Sequence, residues 1–202
     1  MKKGLFYFNV REIAEVAIMS ALAVVLDRFV RIPVGATGGS INISTLPLFL
    51  VALRHGWFKG LLAALVYSLL TCLFDGYGMQ FFVFDYLIAF GSIAIGGLFS
   101  KLIFSLYNKK KGYIVLAFVL IVLVVGIHFI IRTLSATVDS MIFYEYPFMA
   151  GFLYNVNYVS LSCLGVLVLL CALLPLITVI NKLFPTSFLK EDLEEDSEED
   201  EN

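Results

Sequence analysis

Residues 112–136 read GYIVLAFVLIVLVVGIHFIIRTLSA. The run is longer than the roughly 20 apolar residues a helix needs to cross a bilayer core, so its natural solvent is lipid. His128 and Arg132 interrupt it. On insertion scales a charge at the centre of a membrane helix costs about 2.5–3.5 kcal/mol, so such groups usually face a cavity and mark a function. The two are four positions apart and stack on one helix face.

Working outward, further apolar runs of near-helix length lie at about 11–30, 43–55, 57–75, 80–106 and 147–181. The chain of 202 residues is 60% hydrophobic and only 15% charged, against about 25% charged in soluble domains. Its mean hydropathy is +0.94. The reading is an all-α membrane protein of six transmembrane helices over residues 1–184. The acidic stretch at 185–202, ending EDLEEDSEEDEN, is expected to be a disordered tail. The second run is short and follows Pro33, Gly35, Gly38 and Gly39, so a loop at 31–43 is expected to dip in before it and could serve as a lid. Pro175 should kink or end the last run. Lys2 and Lys3 ahead of an apolar stretch resemble a signal peptide, but Arg11, Glu12 and Glu15 interrupt it, and a retained first helix is expected.

Orientation follows the basic residues. Of the 14 Lys and Arg, all but Arg28, Arg31 and Arg132 fall on one side of a six-span arrangement. Positively charged loops stay inside, so both termini are expected in the cytoplasm of a multi-pass plasma-membrane protein. The outer loops would be 31–43, 75–80 and 137–147. Cys72, Cys163 and Cys171 are odd in number and lie in apolar runs, which points to no disulfide and no metal site. No catalytic motif, cofactor signature or phosphate loop is present, and no nucleic-acid partner is expected.

On this topology Asp85 lies five residues inside the outer end of its helix, and His128 and Asn155 about eight inside theirs. All three then sit at one depth, roughly 8–12 Å below the outer surface at 1.5 Å per residue. Tyr77, Tyr86, Tyr154 and Tyr158 lie close by in sequence. A carboxylate, an imidazole, an amide and several rings suit a small, polar, aromatic and cationic ligand. Plainer readings stand beside this one. Asp85 and Arg132 could simply neutralise each other, His128 could be a structural helix residue, and Asn155 could bridge helices. On the first helix, Ala14, Ala17 and Ala21 form a small-residue stripe that allows another helix to approach, from a partner or from the bundle itself.

Taken in order, these residues resemble the membrane-embedded S-components of energy-coupling factor (ECF) transporters, specifically the thiamine-binding type. The resemblance covers about residues 10–170. It rests on Pro47-Leu48-Phe49-Leu50-Val51-Ala52-Leu53-Arg54-His55-Gly56 with Gly60 and Ala63-Ala64, on Phe84-Asp85-Tyr86-Leu87-Ile88-Ala89-Phe90, on His128-Phe129, and on Tyr154-Asn155. It implies an S-component-like bundle that captures a thiamine-like vitamin through Asp85, Tyr86, His128, Asn155, Tyr154, Arg132 and Tyr77. It also implies docking through Ala14, Ala17 and Ala21 onto a transmembrane coupling subunit served by two cytoplasmic ATPases. There are departures. Asp85 stands where that group has Glu, Ala136 where it has a stacking tryptophan, and Ala150 where it has a tyrosine; Phe143 or Tyr144 could supply a replacement ring. Alternatives are an S-component for another vitamin, an autonomous proton-coupled transporter using Asp85 and His128, and a membrane enzyme or scaffold without a small ligand.

Overall fold

A computed structural model describes residues 9–34, 39–76, 78–109 and 111–189. The chain forms α1 (Val10–Phe29), a hairpin of β1 (Arg31–Val34) and β2 (Gly39–Asn42), then α2 (Thr45–His55), α3 (Trp57–Asp75), α4 (Met79–Asn108), α5 (Lys111–Phe143) and α6 (Phe148–Leu183). It is a mostly helical membrane protein. By length and composition α3, α4, α5 and α6 can each cross a membrane, while α2 is a shorter apolar helix. Large apolar side chains such as Leu116, Leu123, Ile130, Leu164 and Val168 cover the outside, as lipid contact requires.

Small residues set the closeness of the packing. A Cβ on Gly60 of α3 would stand 2.6 Å from the Ala52 Cβ of α2, and one on Gly97 of α4 would enter the Trp57 backbone. Gly56, with φ 85°, makes the tight turn between α2 and α3 that a β-carbon would strain. The core runs through Leu48, Phe49, Ala52, Ala63, Ile93, Val159 and Leu174, all fully or nearly fully buried.

Several expectations are corrected. The segment at 31–43 is not a plain loop, and the fold is not purely helical. Arg31 pairs with Asn42 and Val34 with Gly39 in an antiparallel ladder. Proline at position 33 is tolerated in such a two-stranded ribbon, where one edge of each strand needs no partner. Pro175 neither ends nor interrupts α6, which continues to Leu183. Helix α5 does not stop near 136 but runs to Phe143. Its added turns are amphipathic. Thr137, Asp139 and Ser140 are buried inward while Val138, Met141 and Ile142 face out. The Thr137 and Ser140 hydroxyls return to the carbonyls four residues earlier, at 2.7 and 2.8 Å.

At the pole where α1 begins, buried charges close a clasp. Lys59 Nζ lies 2.6 Å from Glu12 Oε2. Ser187 donates its backbone N–H to Glu12 Oε1 at 2.6 Å and its hydroxyl to Oε2 at 2.9 Å. Glu15 meets both Arg54 and His55 at 3.0 Å. Residues 186–189, expected in the tail, therefore pack on the ends of α1, α2 and α3 through Thr186, Ser187 and Phe188. The rest of the expected tail, from 190 on, lies outside the described residues.

Candidate functional site

At the opposite pole a cavity of ≈ 840 Å³, counting its open mouth, is enclosed by the hairpin and by residues of α1, α3, α4, α5 and α6. Asp85, Tyr86, Arg132, Tyr154 and Asn155 line it, as expected from sequence. Tyr77 lies outside the described residues.

His128 does not reach the cavity. It is fully buried, its Nδ1 lies 2.7 Å from the Ser92 hydroxyl, and its ring meets Phe49 edge-on at 5.3 Å. The reason is the length of α5. Because the helix ends at Phe143, His128 lies about two turns deeper than a helix ending near 136 would place it. The expected common depth therefore fails for His128, while Asn155 sits level with Ser140, its Nδ2 3.4 Å from that hydroxyl.

Asp85 owes its position to an unusual stretch of α4. Residues Phe82–Ile88 form widened π turns rather than α turns, a feature often found at functional sites. Neighbouring hydroxyls support the altered backbone: Ser135 donates to the Phe84 carbonyl, and Ser68 to the Tyr86 carbonyl at 3.1 Å. The Tyr86 hydroxyl then reaches out to Asp75 Oδ2 at 2.8 Å.

Sequence reasoning missed a second set of groups. Asp27, Asp75 and Asp139 line the cavity beside Asp85, facing Arg31 and Arg132. Asp75 is held by Arg28 at 2.8 Å, with Arg31 at 3.6 Å. Asp27 accepts from Asn42 Nδ2 at 3.1 Å, and Asn42 Oδ1 accepts from Ser44 Oγ at 2.7 Å. Asp85, Arg132 and Asp139 make no ion pair among the described residues, and Arg132 Nη1 and Asp139 Oδ1 are buried without a hydrogen-bond partner. The lining thus carries four carboxylates against two guanidinium groups, a bias toward positive ligands. The Asp139 signal was available in the sequence: it lies seven residues, or two turns, beyond Arg132 on the same face.

Rings complete the walls. Arg132 Cζ sits 5.1 Å from the Phe90 centroid. Tyr144 stacks on Phe81 at 5.8 Å, and both rings line the cavity, as does Ala136. Ala150 is exposed and away from the lining. Asn155 Oδ1 accepts from the Tyr158 hydroxyl at 2.8 Å, orienting that ring. Tyr154 ties the hairpin down: its hydroxyl donates to the Val34 carbonyl at 2.7 Å and accepts from Gly39 N at 3.1 Å. A Cβ on Gly39 would lie 2.7 Å from that same hydroxyl, so this contact excludes a side chain. Far from the cavity, Ala14, Ala17 and Ala21 are exposed on one face of α1, alongside Ile18 and Leu22.

Comparison with known proteins identifies the lineage. The sequence pattern of a family described as "Thiamine transporter protein (Thia_YuaJ)" matches residues 13–184. The chain is 29% identical over 175 residues to thiamine transporter ThiT of Bacillus subtilis (strain 168), covering 79% of this chain and 88% of that protein. The solved structure of ThiT from Listeria monocytogenes superposes with a TM-score of 0.63 at 26% identity, covering 89% of this chain and 97% of that one. The S component of a bacterial ECF transporter shares the fold at a TM-score of 0.55 and 17% identity, over 83% of this chain and 97% of that one. The chain belongs to the thiamine transporter protein family.

Proposed function

We propose that this member of the thiamine transporter family is the substrate-capture subunit of an ECF-type uptake system, binding thiamine from outside the cell. The observation that carries the reading is the cavity itself: carboxylates outnumber guanidinium groups in its lining, and tyrosine and phenylalanine rings wall it. Such a site favours a cation with a flat ring system. Asp85 is assigned the polar end of the ligand, Tyr86 and Tyr154 its walls, and Asn155 the placing of Tyr158. His128 acts from behind, by positioning α4 through Ser92.

On this reading residues 1–184 make six spans with both termini cytoplasmic, residues 186–189 belong to the packed body, and the acidic tail begins beyond them. The cavity then opens outward, and the paired strands β1 and β2 cover it. The chain has no nucleotide-binding loop, so energy for release comes from partners: a coupling transmembrane subunit and two ATPases. The exposed stripe of Ala14, Ala17 and Ala21 offers the coupling subunit a close-packing surface.

Titration of the purified full chain in detergent with thiamine, riboflavin and pyridoxine, followed by calorimetry, tests this. Thiamine should bind tightly and the other two should not. Tight binding of riboflavin or pyridoxine without thiamine would overturn the thiamine assignment.

A further inference from the structure

Asp139 sits one turn before the end of α5, is only 4% exposed, and has no partner for Oδ1 among the described residues. It lines the cavity. The other two newly found carboxylates are already engaged, Asp75 by Arg28 and Tyr86, and Asp27 by Asn42. A buried carboxylate without a counter-charge is costly, and the cost is relieved either by a proton or by a positive group beside it. Nothing in the described chain supplies such a group.

Positions along α5 say which part of a ligand that is. Arg132 lies seven residues inward of Asp139, about 10 Å along the helix. Asp85 is level with Ser135, because the preceding carbonyl, that of Phe84, takes the Ser135 hydroxyl. That level is about 6 Å inward of Asp139 and about 4.5 Å outward of Arg132. A fixed cation placed at Asp85 would feel the unpaired Arg132 guanidinium close by. The same cation placed at Asp139 would be well away from it, and Coulomb repulsion falls with distance. An uncharged ring bearing an N–H donor suits the inner position, where Asp85 accepts and Arg132 donates.

We infer that Asp139 is a specificity residue that holds the fixed positive charge of the ligand, while Asp85 and Arg132 read its neutral polar ring. The inference rests on the thiamine reading above and divides that molecule between two carboxylates: thiazolium at Asp139, aminopyrimidine at Asp85. Ala136, one turn inward of Asp139, leaves room between them.

The test compares thiamine with its neutral isostere, in which a thiophene replaces the thiazolium ring. Affinities are measured by calorimetry on the full-length protein and on Asp139→Asn and Asp85→Asn. Wild type should prefer thiamine to the isostere by about tenfold or more, the lower range for a charged contact. Asp139→Asn should lose that preference, weakening thiamine by about tenfold while changing isostere binding by no more than about twofold. Asp85→Asn should weaken both ligands alike. Equal affinity of wild type for the two ligands would overturn the inference without any variant, as would an Asp139→Asn protein that keeps the preference or loses both ligands equally. In those cases thiamine binding by wild type leaves the transporter assignment standing. Failure of wild type to bind either ligand overturns both.

Discussion

At the pole where α1 begins, Lys59 and Glu12 are almost wholly buried and lie 2.6 Å apart, with Ser187 capping the carboxylate. At the cavity pole Arg132 and Asp139 are also buried, yet among the described residues neither has an ion-pair partner and each leaves a polar atom unsatisfied. The same chain therefore treats buried charge in two ways. One end completes its charge pairs internally and so fastens helices together. The other end pairs Asp75 with Arg28 but leaves Asp85, Arg132 and Asp139 without an ion pair among the described residues, a cost to the empty protein that the proposed ligand would relieve. Within the cavity pole the backbone also differs: α3 is an ordinary helix capped by Gly76, whereas the turns that carry Asp85 are widened.

The largest effect should come from breaking the closed end. Lys59→Ala strands the Glu12 carboxylate and should cost about 3–5 kcal/mol of stability, the range for removing one partner of a buried pair. Denaturation of the purified protein in detergent checks this, and thiamine affinity of the folded fraction should stay near wild type. At the open end, Asp85→Asn should weaken thiamine by about 1.5–3 kcal/mol while leaving the empty protein as stable as wild type or more so. Equal ligand and stability losses at both sites would erase the contrast between the poles.

Between these extremes stands the hairpin. Tyr154→Phe removes the hydroxyl shared by Val34 and Gly39, two bonds at about 0.5–1.5 kcal/mol each. Its signature should be faster thiamine dissociation in a stopped-flow chase, with a smaller change in association. The smallest energetic effect is expected on the exposed α1 face. Ala17→Leu or Ala21→Leu should leave stability and affinity within about 0.5 kcal/mol, as surface changes do, while cellular uptake and co-purification with the coupling subunit fall. A loss of affinity there would mean that the face serves the bundle.

Much of the fold was readable because apolar runs report helices directly. The run at 57–75 coincides with α3, and Asp85, Tyr86, Arg132, Tyr154 and Asn155 do reach one cavity. What escaped has physical causes. Thr137, Asp139 and Ser140 look like a polar loop unless Asp139 is read on the same face as Arg132, and their burial on one side of the helix shows that α5 continues. That error of length carried His128 up to the ligand level, where the structure instead gives it to Ser92 and Phe49. The strands at 31–34 and 39–42 are too short for an alternating pattern to emerge. Asp27 and Asp75 stand at helix ends, where acidic residues are ordinarily solvated, and only the tertiary fold turns them inward.

The central claim is that charge at the cavity pole serves a ligand and not the fold. Its most direct test is the unfolding midpoint of Asp85→Asn measured with and without saturating thiamine, beside wild type. Thiamine at 100 times its dissociation constant should add about 2.7 kcal/mol to wild type by linkage. The variant should match or exceed wild type when empty and gain markedly less at the same thiamine concentration. An empty variant destabilised as strongly as Lys59→Ala, with an undiminished gain from thiamine, would contradict the account.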